Sequence, residues 1–268
     1  MPNPNAAAQA HPTLALASQS PRRRRMMQWL GIPVAITKVD IDETPLPGEP
    51  PRDLATRLAR AKAQAAAHPS LSITPPDHAT DAGDRAAARL RLHPDSRRGT
   101  RHDARAPRRQ DAAFVLTADT VVDFDGVSLG KPADAAEARA TLRKLRERPH
   151  QVHTGVALAR IDGDTVTPFV RRVTTDVTMR PYTDAEIAAY IATGDPMDKA
   201  GAYAVQHDGF DPVARLHVCY ANVVGLPLCA VVALLNQAGR HLDVDIPALC
   251  AHHFNYDCPC PDPGTQLA

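Results

Sequence analysis

Apolar and polar residues alternate in two periods along this chain, and the switches between them outline an α/β protein. Short apolar or alternating runs predict strands at Leu14–Ala17, Val34–Val39, Phe114–Ala118 with Val121–Phe124, Gln151–Arg160, Val170–Met179 and near Tyr203–Gln206. Helical spacing predicts helices at Pro21–Leu30, Asp53–Ala67, Ala133–Leu145, Asp184–Thr193 and Leu226–Gln237. Several ends are marked by local chemistry. Thr183 with Glu186 reads as a capping box, Gly194 as a stop, and Gly239 closes the last predicted helix. The two long strands flank Asp162-Gly163-Asp164 and should pair antiparallel across that turn, which makes the sheet mixed.

One junction carries more information than the rest. Leu14-Ala15-Leu16-Ala17-Ser18-Gln19-Ser20-Pro21-Arg22-Arg23 reads as a buried strand running straight into a helix. Ser20 can cap that helix, and Pro21 fits its first position, where no N–H is needed. The positive end of the helix and a guanidinium from Arg22 or Arg23 would then converge on one small volume, a natural place for phosphate. The plainer reading is a capped surface helix whose arginines face water. The junction alone does not separate the two.

Composition narrows the classes. The 268 residues, 44% of them hydrophobic, can build a sizeable core. A net charge of +1 argues against a globally basic nucleic-acid binder. No apolar run approaches the ~20 residues that span a bilayer, so no membrane association is expected. Residues 1–12 read as a flexible leader without the pattern of a signal peptide, and the cytoplasm is the expected compartment. The segment Pro75–Gln110 has nine arginines, no lysine and almost no large apolar residue. It reads as an unstructured insertion in a domain spanning 13–240. All five cysteines lie in the last quarter, where residues 241–268 read as a C-terminal tail with free thiols. Cys250, His252, His253, Cys258 and Cys260 could ligate metal, but a Cys-x-Cys pair in a proline-rich tail is a poor second half of a zinc site.

Further blocks resemble one family in order. Asp40-Ile41-Asp42-Glu43, Arg57-Leu58-Ala59-Arg60-Ala61-Lys62-Ala63, Ala118-Asp119-Thr120 and Gly130-Lys131-Pro132 follow the Ser-x-Ser-Pro-Arg-Arg junction. Then come His150–Val156, Asp198-Lys199-Ala200-Gly201-Ala202-Tyr203 and Asn222-Val223-Val224-Gly225-Leu226-Pro227. Together they resemble the Maf family of nucleoside triphosphate pyrophosphatases. The resemblance covers about Leu14 to Leu235 and is interrupted once, by the arginine-rich segment. It implies a strongly twisted mixed sheet flanked by helices, with a cleft between two lobes.

The chemistry of cutting between the α and β phosphorus atoms needs positive charge, an activated water and a base pocket. Arg22, Arg23, Lys62 and Lys131 supply charge, and Ser18 reads as a phosphate-binding hydroxyl or a strand-end hydrogen bond. Asp119 follows an apolar strand, where α/β proteins place their chemistry. The resemblance makes Asp119 the proton acceptor that activates water, and Asp119 with Glu43 the holders of Mg²⁺ or Mn²⁺. Strand alternation would turn Asp40 and Asp42 to the face opposite Glu43. For base selection the resemblance points to Arg22, Thr120 and Gln206, the positions that define the dTTP/UTP branch. His207-Asp208-Gly209 departs from the family, where glycine usually follows the glutamine directly. His153 reads as structural.

The resemblance also implies a homodimer and a nucleoside triphosphate substrate. Two rivals stay open: a 7-methyl-GTP pyrophosphatase, and a nucleotide-binding regulator of septum formation without turnover.

Overall fold

A computed structural model of the chain describes residues 14–67 and 113–259. The leader, the arginine-rich segment 75–110 and Cys260 lie outside the described residues. Seven strands form one mixed sheet: β1 (Leu14–Ala17), β2 (Val34–Thr37), β3 (Ala113–Phe124), β4 (Val127–Leu129), β5 (Pro149–Asp162), β6 (Thr165–Met179) and β7 (Val213–His217). Their order is β2-β1-β3-β5-β6-β7, with β4 on the edge of β3. β1 is parallel to β2 and β3, and every other pairing is antiparallel. The long hairpin of β5 and β6 turns at Gly163, whose φ of +58° suits a residue without Cβ.

The period-2 pattern sorts side chains by size. Leu14, Leu16, Phe114, Leu116 and Leu158 fill the main core with Met26 and Met27 of α1 (Pro21–Trp29). Ala15, Ala17, Val115, Ala157 and Ala159 face the other way, onto Ala59, Ala63 and Ala66 of α2 (Pro51–Ala66). Small residues on both sides let that helix approach closely. Thr117 Oγ1 therefore donates to the Ala59 carbonyl at 2.6 Å, a bond from sheet to helix backbone.

The remaining helices are α3 (Ala135–Leu145), α4 (Asp184–Ala192), α5 (Tyr220–Val224), α6 (Leu228–Gln237) and α7 (Ile246–Phe254). The Thr183–Glu186 capping box forms at the start of α4. α6 begins at Leu228, two residues later than its pattern predicts, because Pro227 cannot continue a helix from Gly225, which sits at φ +118°.

Three expectations need correction. Val121–Phe124 is no separate strand: β3 runs unbroken through Asp119 and Thr120, since β5 pairs with it along that whole length. The strand expected near Tyr203–Gln206 is absent; a pair of 3₁₀ turns and a loop lead instead to β7. β2 stops at Thr37, so Asp40, Asp42 and Glu43 lie on irregular chain and strand alternation does not govern them. In the tail, α7 is an element the pattern did not reveal. Asp245 caps it, and Ile246 and Cys250 are buried against the main core. Among the described residues no helix is long and apolar enough to cross a membrane.

Candidate active site

A gap in the sheet creates the cleft. β1 pairs with β3 only from Phe114 to Leu116, and β4 takes up the same edge only from Val122. Between them the edge of β3 around Ala118–Thr120 is open, and the Ser18–Ser20 turn and α1 stand over it. A cavity of about 360 Å³ forms there, lined among others by Ser18, Arg22, Lys62, Thr120, Lys131 and Gln206.

Successive residues of β3 point to opposite faces, so Asp119 and Thr120 serve opposite sides of the sheet. Asp119 faces α2. Its Oδ1 accepts from Lys62 Nζ at 2.5 Å, and the same ammonium reaches Glu43 Oε1 at 2.6 Å. The two carboxylates differ sharply in exposure, at 12% for the Asp119 side chain and 61% for Glu43. Asp119 is not itself a lining residue: it stands directly behind Lys62. Burial pushes its pKa above the usual aspartate value, with Lys62 opposing that rise and Glu43 adding to it.

Thr120 faces α1. Arg23 Nη2 donates to Thr120 Oγ1 at 3.0 Å, Nη1 to the Ala118 carbonyl at 2.7 Å and to Ser18 Oγ at 3.4 Å, and Nε to the Gly225 carbonyl at 2.8 Å. One guanidinium thus ties the β1–α1 turn, the open edge of β3 and the α5–α6 junction together. Burial lowers the pKa of Arg23, while the Asp119 carboxylate works against that. With four donors committed to the protein, Arg23 builds the wall of the cleft, and its neighbour Arg22 is the freer cation. Arg22 Nη1 meets Asp198 Oδ2 at 3.4 Å across the opening.

Ser20 caps α1 as read from the sequence, its Oγ accepting from Arg23 N. Ser18 Oγ accepts from Ser20 N at 3.2 Å, which leaves its hydroxyl hydrogen for a ligand. Lys131 and Gln206 are exposed on the rim of the cavity. His153 is buried away from it, between Thr174 Oγ1 at 2.9 Å and Asp123 Oδ2 at 3.2 Å.

Lys199 is a lining residue to which the sequence analysis gave no role. It is 8% exposed and donates to the Asp195 backbone and to both Asp195 and Asp198 carboxylates. Its place in Asp198-Lys199-Ala200-Gly201 was the available signal, because a lysine beside a glycine-bent turn can be drawn inward. Tyr203, also lining, is held by His150 at 2.8 Å.

Glu43 and Asp119 together offer the hard oxygen donors that a magnesium or manganese ion uses beside phosphate oxygens and water. Among the described residues no group of three His, Cys, Asp or Glu side chains is placed to hold a metal. Glu43 and Asp119, both within reach of Lys62 Nζ, are a two-carboxylate set that would fit such an ion if phosphate and water supplied its other ligands.

Fold and cleft define an α/β protein in which the N-terminus of the first helix and several cationic side chains line one cavity. The family model described as "Maf-like protein" matches residues 13–238, and the chain belongs to that family. It is 38% identical over 236 residues to the dTTP/UTP pyrophosphatase of Anaeromyxobacter dehalogenans strain 2CP-C, covering 88% of this chain and 99% of that protein. The dTTP/UTP pyrophosphatase of Geobacter metallireducens is 38% identical over 84% of this chain and 96% of its own length. That of Myxococcus xanthus is 39% identical over 85% and 94% respectively.

Proposed function

We propose that this chain is a nucleoside triphosphate pyrophosphatase that hydrolyses dTTP and UTP to the monophosphate and pyrophosphate, clearing nucleotides from the pool. The observation that carries this reading is the Glu43–Lys62–Asp119 cluster at the head of a cleft with further cations on its rim. A molecule that only sensed nucleotides would gain nothing from a carboxylate held in reserve behind a lysine.

The chemistry follows from the arrangement. The triphosphate lies at the N-terminus of α1, its charge met by Lys62, Lys131, Arg22 and the Ser18 hydroxyl. As Lys62 turns toward a phosphate oxygen it uncovers Asp119, which accepts a proton from the attacking water. A pKa raised by burial makes Asp119 a stronger base than an exposed aspartate. A magnesium or manganese ion held by Glu43 and Asp119 would neutralise charge building on the phosphates. The amide of Gln206, with Arg22 and Thr120, supports selection of a pyrimidine edge. The homodimer and the cytoplasmic setting implied by the family resemblance belong to this proposal.

The test is a panel of nucleoside triphosphates with Mg²⁺ or Mn²⁺, with products separated. Pyrophosphate and monophosphate, fastest from dTTP or UTP and abolished by chelator, are expected. Release of inorganic phosphate, or preference for 7-methyl-GTP, would overturn the assignment.

A further inference from the structure

Thr120 and Thr154 stand directly opposite each other on β3 and β5, and their hydroxyl oxygens are 2.9 Å apart. The next pair on the same face of the sheet is Val122 with Val152. Thr120, both of these valines, Tyr203 and Val224 line the cleft, which gives it an apolar wall that carries the Thr120 hydroxyl. Lys62 and Lys131 suit the phosphates of a nucleotide, and this wall suits its base.

Counting hydrogens fixes what that hydroxyl can offer. A threonine hydroxyl has one hydrogen to give and two lone pairs to share. Thr154 is fully buried, and its Oγ1 lies 3.1 Å from the Asn222 carbonyl, which can only accept. The Thr154 hydrogen goes there, so Thr154 accepts the hydrogen of Thr120. Arg23 Nη2 takes one lone pair of Thr120 at 3.0 Å, and one lone pair remains. Were the Thr154 hydrogen turned toward Thr120 instead, the Thr120 hydrogen would fall to the Gly225 carbonyl at 3.5 Å. In neither arrangement does Thr120 have a hydrogen left for a ligand.

Uracil carries N–H at N3 beside a carbonyl oxygen, whereas cytosine has a bare N3 beside an amino group. Gln206 does not separate the two by itself, because an exposed amide can rotate to present either its oxygen or its NH₂. A hydroxyl that can only accept does separate them. We propose that Thr154 is a positioning residue for base selection: from behind the cleft wall it fixes the Thr120 hydroxyl as an acceptor. That acceptor takes the N3–H of uracil or thymine and repels the N3 lone pair of cytosine. This rests on the pyrophosphatase reading above.

The experiment measures kcat/KM for UTP, CTP and 3-methyl-UTP, which has no hydrogen at N3, in the full-length wild type, Thr154→Val and Thr154→Ser. Valine fills the space but removes the hydroxyl, so Thr120 regains a hydrogen to donate. The wild type should prefer UTP to each of the other two by about tenfold or more. Thr154→Val should raise the CTP-to-UTP ratio by about fivefold or more, and Thr154→Ser should restore the wild-type ratio. A merely structural role would lower both rates together and leave the ratio alone. An unmoved ratio in Thr154→Val, or a wild type that takes CTP or 3-methyl-UTP as readily as UTP, would overturn the positioning role alone. The 3-methyl-UTP comparison decides the matter even if Thr154→Val does not fold. Pyrophosphate from none of the three nucleotides would overturn the pyrophosphatase reading and this role with it.

Discussion

Asp119 and Gly155 stand directly opposite each other across β3 and β5, and the missing side chain of Gly155 lets α2 bring Lys62 onto Asp119. A Cβ at position 155 would collide with the Ala55 carbonyl and come within 2.9 Å of Thr56 Cα, both helix backbone. Backbone cannot swing aside as a side chain can. Gly155→Ala should therefore push α2 outward, costing about 1–3 kcal/mol of stability. It should also reduce pyrophosphate release, because Lys62 rides on the displaced helix. Urea denaturation and a parallel activity assay check both effects, and a fully active, fully stable variant would show that the close approach is dispensable.

The acid limb of activity should follow Asp119. Its pKa is raised chiefly by burial, held back by Lys62 and pushed further by Glu43, so two variants should move the limb in opposite directions. Lys62→Ala should shift the residual activity's acid midpoint to higher pH, and Glu43→Gln should shift it lower. The sign for stability is also fixed. A carboxyl whose folded pKa is raised contributes most below its unfolded pKa, and that contribution is gone above the folded one. At neutral pH Asp119→Asn should leave Tm equal to or above that of the wild type. Profiles of kcat/KM against pH, with melting curves, measure this.

Arg23 should resist replacement by lysine. Its planar fork serves Ala118, Thr120, Ser18 and Gly225 at once, which one ammonium cannot reproduce. Arg23→Lys should lose on the order of 2 kcal/mol or more, because buried carbonyls are left without donors. Chemical denaturation reads the loss. A variant as stable as the wild type would show that the guanidinium is not the tie described here.

His150 gives a separate pH signature. Burial pushes its pKa down to about 4 from an ordinary 6.5, while its Nε2 pairs with the Tyr203 hydroxyl. A depressed pKa means stability present above pH 6.5 and lost as pH falls toward 4, since only the unfolded chain takes up the proton. Between pH 7 and pH 5 the wild type should lose roughly 2 kcal/mol more than His150→Gln. Denaturation curves of both proteins at the two pH values give that difference directly.

Much of this was legible in the sequence because it is local. Ser20 and Pro21 specify the start of α1, Thr183 and Glu186 that of α4, and the Leu/Ala alternation of β1 sets which face each helix covers. The order of family blocks pointed to Glu43, Lys62 and Asp119 as partners. What pattern could not supply was anything set by a distant chain. β3 continues through a polar Asp-Thr pair because β5 supplies its hydrogen bonds, and Arg23 turns inward because open carbonyls on β3 and at Gly225 await it. Tyr203–Gln206 has strand-forming residues but no strand at its side. α7 escaped notice for a related reason: its stripe is short, and only packing on α1 and α5 makes it a helix with a buried side.

The most direct test of the central claim, that Asp119 behind Lys62 is the base for cutting the α–β bond, is pyrophosphate release from UTP by wild type and Asp119→Asn under identical metal and pH. The wild type should yield UMP and pyrophosphate, and the variant should be slower by at least about a hundredfold with an undiminished Tm. Equal rates in the two proteins would contradict the role assigned to Asp119.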